Sequence, residues 1–156
     1  MKTHIFGHST TEHLTEHFTL GEMLHSQVAI DCHTLNPVDD PSVIDALALL
    51  CQQVLEPLRM AVCHPIVLRC AYCSAFVSWV ITRREQSQYH RGEAADIGCP
   101  YGKEEARFYY DFIRLHLPFD RLHLCHLRKT DEWYVHVSYS SVHAQRREAG
   151  EKELEQ

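Results

Sequence analysis

The chain has 156 residues, of which 45% are hydrophobic, and this predicts one globular domain with a substantial core. Its formal charge of -6 argues against a protein that binds nucleic-acid phosphates. The N-terminus lacks the apolar segment of a signal peptide, and no stretch reaches the roughly 18 apolar residues of a membrane helix. We therefore expect a protein that starts in the cytoplasm and does not insert into a membrane.

Seven cysteines are present, and their spacing does not match the two C-x-x-C pairs of a zinc module. Cys70 and Cys73 form a single C-x-x-C on a predicted strand, whereas a redox motif lies at a helix N-terminus. We expect reduced and mostly buried thiols.

The first third of the chain predicts helices behind a polar arm. Residues 1–17 are polar and rich in histidine, which indicates a loose arm or a weak metal-binding tract. Thr19 and Glu22 have the spacing of a capping box, so a helix should start there. Asp40 should cap a long amphipathic helix, and Pro57 should kink or break that helix near its end.

The middle of the chain predicts a strand followed by a short helix. Residues 66–72 read as a strand, and Ser74 should cap a helix over 76–81. We expect Trp79 and Val80 to be buried on that helix.

The remaining elements complete an α+β fold. We expect a strand over 93–97, a helix over 103–117, and a hairpin formed by strands 122–127 and 133–139. The charged tail, residues 144–156, should be frayed or disordered. The prediction is an antiparallel sheet covered by helices.

Two neighbouring strands of this sheet are expected to carry chemistry. The alternation after Trp133 places Tyr134, His136 and Ser138 on one face of their strand. Asp96 stands in the predicted strand before them. An Asp and a His on adjacent strands, with a His shortly before the Asp, would supply three zinc ligands, and a nearby Glu would act as the base.

Longer motifs support this interpretation over residues 18–139. They are FTLGEM at 18–23, VLEPLR at 54–59, PIVLRCAY at 65–72, SQ at 87–88 with GEAADI at 92–97, PFDRL at 118–122 and WYVHVSY at 133–139. This set resembles the zinc D-Ala-D-Ala carboxypeptidases, metallopeptidase family fifteen, in its short bacterial and phage branch. The hedgehog signalling domain is a distant relative of that family. The resemblance implies a hedgehog-like domain over residues 18–143, between the arm and the tail.

The resemblance also implies a ligand set and a substrate. Asp96 and His136 match two zinc ligands of the family, and a peptidoglycan stem peptide would be the substrate. Ser87 and Tyr72 match residues that line the substrate cleft, and Tyr89 and Cys73 occupy two further positions beside it.

The sequence departs from the family at the chemistry itself. Tyr89 stands where the family has its remaining histidine ligand, and Cys125 stands at the position of the general-base glutamate. Cys73 replaces the arginine that grips the substrate, and Ser78 replaces an asparagine of the pattern. Loss of a ligand should weaken zinc binding, and loss of the base should remove most of the rate.

Several residues could compensate for these changes. His90 is adjacent to the lost ligand, and Tyr89 could bind zinc as a phenolate. His123 or Glu132 could replace the base. A closed structural zinc site would use four side chains, those of Cys73, Cys125, Asp96 and His136.

Three functions follow from these alternatives. The first is a divergent carboxypeptidase-like protein with lost or much reduced activity, which binds a peptide or cell-wall stem in the old cleft. The second is an active zinc D,D-peptidase that uses His90, Asp96 and His136 and reaches the wall through lysis. The third is a non-enzymatic structural protein of a prophage or mobile element.

Overall fold

The computed structural model describes residues 4–155. The chain opens with two short antiparallel hairpins, β1 (His4–Ile5) with β2 (His8–Ser9) and β3 (His13–Thr15) with β4 (Phe18–Thr19). Ile5 and Leu14, which belong to these hairpins, pack against the core. The segment from residue 4 to 17 is thus folded onto the domain, in contrast to the loose arm expected; residues 1–3 of that arm lie outside the described residues.

Two short helices follow, α1 (Leu20–Leu24) and α2 (Gln27–Asp31). The capping box is confirmed: the Thr19 hydroxyl accepts from the backbone N–H of Glu22, and the Glu22 carboxylate accepts from the backbone N–H of Thr19. Ser26 caps α2, so the helix predicted to start at the capping box ends at Leu24 and a second helix follows it.

The long central helix has three parts, α3 (Ser42–Leu50), a π-helical segment (Cys51–Leu55) and α4 (Glu56–Val62). Pro57 has no N–H to donate to the carbonyl four residues earlier, and the wider π turn before it accommodates the loss of that hydrogen bond. Proline therefore widens the helix here without ending it. One face of the helix is fully buried and includes Leu47, Leu50, Val54, Leu55 and Leu58.

Five strands form the main sheet: β5 (Val67–Cys70), β6 (Ala94–Gly98), β7 (Arg121–Leu127), β8 (Glu132–Ser138) and β9 (Glu148–Leu154). Their order is β5-β6-β8-β7-β9. The expected hairpin of β7 and β8 is confirmed, but β9 pairs with β7 in parallel. The fold is therefore α+β with a mixed sheet, and the prediction of a purely antiparallel sheet is wrong.

The strand β9 lies in the tail that was expected to be disordered. Its charged residues suit an edge strand, because basic side chains of neighbouring elements form ion pairs with its glutamates. Glu151 lies 2.6 Å from Arg107, and Glu153 lies 3.1 Å from His126. The sequence pattern did not reveal these ion pairs, since they join residues that are distant in the chain. Gln156, the last residue of the tail, lies outside the described residues.

The helix α6 (Lys103–His116) packs on one face of the sheet, which carries Ile97, Leu124, Val135 and other core residues. The opposite face bears most of the polar residues of the strands and is called the polar face below. Between residues 4 and 155, no helix is both long and apolar enough to cross a membrane.

The helix α5 (Ala75–Thr82) begins at Ser74, whose hydroxyl accepts from the backbone N–H of Val77, as expected. The expectation that Trp79 is buried is wrong, because 45% of it is exposed. The Arg83 guanidinium covers the Trp79 ring at 4.9 Å, and the buried residues of this helix are Val77 and Ser78.

Candidate functional site on the polar face

A row of polar side chains crosses the sheet. In the strand register, Asp96 pairs with Cys70 on one side and with His136 on the other, and His136 pairs with His123. Register partners on adjacent strands point to the same face. Asp96, His136 and His123 therefore lie side by side on the polar face. The rings of His123 and His136 stack with centroids 5.7 Å apart.

Tyr89 completes this row from the loop before β6. Its phenol oxygen lies 2.8 Å from Oδ1 and 3.0 Å from Oδ2 of Asp96, and 2.9 Å from Nδ1 of His136. His136 Nδ1 itself lies 2.8 Å from Asp96 Oδ1. Tyr89, Asp96 and His136 thus form a closed network, which we call the Tyr–Asp–His network.

Proton positions in the network follow from burial and charge. Burial, and then the Asp96 carboxylate, raise the pKa of Tyr89 well above its usual value, so the phenol keeps its proton. The phenol O–H donates to Asp96, and the N–H form of His136 Nδ1 donates to the same carboxylate. The Cys70 thiol adds a longer contact of 3.5 Å to Asp96 Oδ2.

The loop that holds Tyr89 is fixed from both ends. Gly92 has a φ of +75°, and a Cβ there would lie 2.6 Å from the Val43 carbonyl oxygen, so only glycine fits this turn. The Gln88 side chain donates to Asp120 at 3.0 Å, and Tyr89 accepts a bond from the Cys73 backbone N–H at 3.1 Å. These contacts direct the Tyr89 ring toward Asp96.

The network in this arrangement does not fit a zinc ion. Two ligands of a tetrahedral zinc lie ~3.3 Å apart with the metal between them, but Asp96 and His136 bond each other directly at 2.8 Å. The Tyr89 hydroxyl fills the remaining side of the pair. Among residues 4–155, no three His, Cys, Asp or Glu side chains are grouped to hold a metal ion. The four side chains expected to form a closed site, those of Cys73, Cys125, Asp96 and His136, are therefore not grouped in this way.

His90, the other expected ligand, has different partners. Its Nδ1 lies 3.2 Å from the Cys73 carbonyl oxygen, and its Nε2 lies 3.8 Å from Asp39. Its ring stacks on Tyr72 with centroids 6.2 Å apart. The structure therefore brings Asp96 and His136 together but leaves His90 outside their network.

The expected substrate-binding positions are mostly covered. Tyr72 and Cys73 are fully buried, and the Tyr72 hydroxyl donates to the Pro37 carbonyl oxygen at 2.7 Å. Ser87 shares a 2.7 Å hydrogen bond with Ser78. Tyr89 is the expected position that reaches the network.

The residues considered as bases differ in their placement. Cys125 is buried, and burial raises the pKa of its thiol. Burial, then the charge of Lys152, lowers the pKa of His123 to about 4. Glu132 stands four residues before His136 on the same strand, about 13 Å away along it. It is therefore too far from His136 to act as a general base beside it.

Arg69 is a residue of the polar face that the sequence interpretation missed. Its guanidinium carbon lies 4.6 Å from the centroid of the Tyr134 ring. The sequence contained a signal for this contact, since Gly98 ends β6, the strand between those of Arg69 and Tyr134. A glycine there leaves space for a long side chain.

A cavity of about 170 Å³ lies beside Leu124, His126 and Trp133. These residues alternate with those of the polar face, so the cavity belongs to the helix-covered side of the sheet and is separate from the Tyr–Asp–His network.

Comparisons of the chain with protein-family models, curated proteins and solved structures found no match. The resemblance to the zinc carboxypeptidases is thus a hypothesis that depends on the motifs alone.

Proposed function

We propose that this protein is a non-hydrolytic relative of the zinc D-Ala-D-Ala carboxypeptidases, and that it binds a stem-type peptide on the polar face without a metal ion. One observation supports this most strongly. The Tyr89 hydroxyl lies within 3.0 Å of Asp96 and His136, in the position between two residues that match zinc ligands of the family.

The proton balance of the face also argues against hydrolysis. A water molecule needs a metal or a strong enough base to attack a peptide bond. Tyr89 keeps its proton, and His123, with a pKa of about 4, attracts a proton only weakly at neutral pH. Asp96 already accepts from both Tyr89 and His136.

Peptide binding is consistent with the side chains that remain. The polar face combines aromatic rings with an arginine, the residue types that contribute most to peptide and protein recognition. Tyr134 and His136 stand two apart on β8, and Arg69 covers the Tyr134 ring. A peptide can contact these groups without any reaction.

The test uses a diacylated L-Lys-D-Ala-D-Ala peptide and protein purified without an affinity tag. D-alanine release is measured with and without added zinc, and binding is measured by NMR chemical-shift changes. We expect no release above the protein-free control and saturable shifts on β6 and β8. Chelator-sensitive release would overturn the non-hydrolytic assignment, and a lack of saturable shifts would overturn peptide binding.

A further inference from the structure

The Arg69 side chain crosses the sheet to reach an aromatic ring. Arg69 lies in β5 and Tyr134 in β8, with β6 between them. Gly98 of β6 pairs with Tyr134, and a Cβ at Gly98 would lie 3.4 Å from the Cγ of Arg69. Glycine at this point therefore gives the Arg69 side chain room to cross β6 and stack on Tyr134 at 4.6 Å.

The guanidinium of Arg69 keeps donors for a ligand. Among residues 4–155, the carboxylate paired with it is that of Glu132, which lies 3.9 Å away, beyond the 2.7–2.9 Å of a charge-assisted hydrogen bond, and the Glu132 side chain is 60% exposed. The Arg69 side chain is itself 38% exposed. Because the Tyr134 ring already holds the guanidinium in place, the Arg69 side chain would lose little conformational entropy when it binds a ligand.

The polar face carries a second cation besides Arg69, and the Glu132 carboxylate 3.9 Å from Arg69 is 60% exposed to solvent. Lys152 pairs in register with Cys125, which pairs in turn with Tyr134, so a second cation belongs to the same face. The Asp96 carboxylate on that face is already bonded to Tyr89 and His136. Its charge is therefore partly compensated within the Tyr–Asp–His network.

We infer that Arg69, held on Tyr134, binds the terminal carboxylate of a peptide on the polar face; this inference rests on the proposed function. The planar guanidinium matches a carboxylate through two parallel N–H···O bonds. Tyr134 and His136 are about 7 Å apart along β8, the length of about two extended residues. A dipeptide anchored at Arg69 thus spans the distance to His136.

Acetyl-D-Ala-D-Ala and its C-terminal amide test this inference by NMR titration of the full chain. We expect the acid to bind at least about tenfold more tightly than the amide, as a charge-assisted bidentate contact requires. Arg69→Gln should remove that preference. Arg121→Gln is the matched control, because Arg121 is on the same sheet but pairs with Glu148 at 3.2 Å. This variant should keep the preference for the acid over the amide.

The outcomes separate this inference from the proposed function. Equal affinity for acid and amide, or a preference that survives Arg69→Gln, overturns the carboxylate site and leaves non-hydrolytic peptide binding intact. Release of D-alanine contradicts the proposed function and leaves an acid preference standing. Binding of neither compound overturns both. Should Arg69→Gln fail to fold, the wild-type Arg69 Nε–H resonance gives the answer, since it must shift with the acid and not with the amide.

Discussion

The phenol oxygen of Tyr89 lies 2.9 Å from Nδ1 of His136, and the two rings meet edge to face with centroids 5.4 Å apart. The same oxygen is 2.8 Å from Asp96 Oδ1, so one tyrosine joins the loop before β6 to the two strands β6 and β8. A carboxylate and an imidazole that could hold a metal are instead satisfied by each other and by a phenol.

Removal of the phenol hydroxyl should destabilise the protein. Tyr89→Phe leaves the Asp96 carboxylate without one of its donors in a largely covered site, and we expect a loss of about 1.5–3 kcal/mol in the free energy of unfolding. Urea denaturation measures this loss. Tyr101→Phe is the control, since Tyr101 is 87% exposed and should change nothing. An equal, small effect of both variants would show that the hydroxyl contributes little.

A histidine in place of the phenol should create metal affinity. Tyr89→His places an imidazole beside Asp96 and His136 and gives the three protein ligands that an open zinc site requires. We expect zinc to replace the direct Asp96–His136 hydrogen bond in this variant, because three ligands then share the ion. A competition titration with a chromophoric chelator measures this binding, and the wild type should show none. The double variant Tyr89→His/His136→Ala should lose the gain. A Tyr89→His protein with wild-type zinc affinity would mean that the three side chains cannot converge on one ion.

Gly92 should tolerate no side chain. Gly92→Ala combines a left-handed φ of +75° with a Cβ placed 2.6 Å from the Val43 carbonyl oxygen. The conformation alone costs about 1–3 kcal/mol, and the collision adds to it. Gly7→Ala isolates the first contribution, because Gly7 has a φ of +83° and no heavy atom within 4 Å of an added Cβ. The prediction fails if thermal unfolding shows the two variants equally stable.

Asp120 should make stability sensitive to acid. Hydrogen bonds from Arg146, and then from Gln88, hold the pKa of this buried carboxyl well below its usual value. A lowered pKa in the folded state stabilises the protein fully above the unfolded pKa of about 3.9, and this stabilisation decreases below that pH and is lost only as the pH falls through the lower, folded pKa.

The variant Asp120→Asn removes that titration. We expect it to be less stable than the wild type at pH 7, and the difference between the two free energies of unfolding should start to shrink only below about pH 4, where the unfolded carboxyl begins to bind protons. Urea denaturation at several pH values measures both. Parallel pH profiles for wild type and variant would contradict this role of Asp120.

The local patterns of the sequence predicted much of the fold. The capping box of Thr19 and Glu22, the hairpin of β7 and β8, and the shared face of Tyr134, His136 and Ser138 depend on short-range spacing, which the sequence displays directly. The proximity of Asp96 and His136 was implied by the resemblance to the zinc carboxypeptidases, because spacing alone did not say that their strands are neighbours.

Contacts between residues that are far apart in the chain could not be predicted from the spacing of residue types. β9 is stabilised by pairs such as Glu151 with Arg107, which are 44 positions apart in the chain (151 less 107). The π turn before Pro57 keeps the helix continuous, where the local pattern predicted a kink or a break. The resemblance implied that Tyr89 stands at a histidine position of the family pattern, but only the fold places its hydroxyl between Asp96 and His136.

The most direct test of the Tyr–Asp–His network is the zinc content of the protein, purified without an affinity tag and then equilibrated with a small molar excess of zinc. After removal of free metal, elemental analysis should find no retained zinc in the wild type, because the Tyr89 phenol and the direct bond between Asp96 and His136 leave no position for it. One retained zinc ion per chain, lost on His136→Ala, would contradict the account.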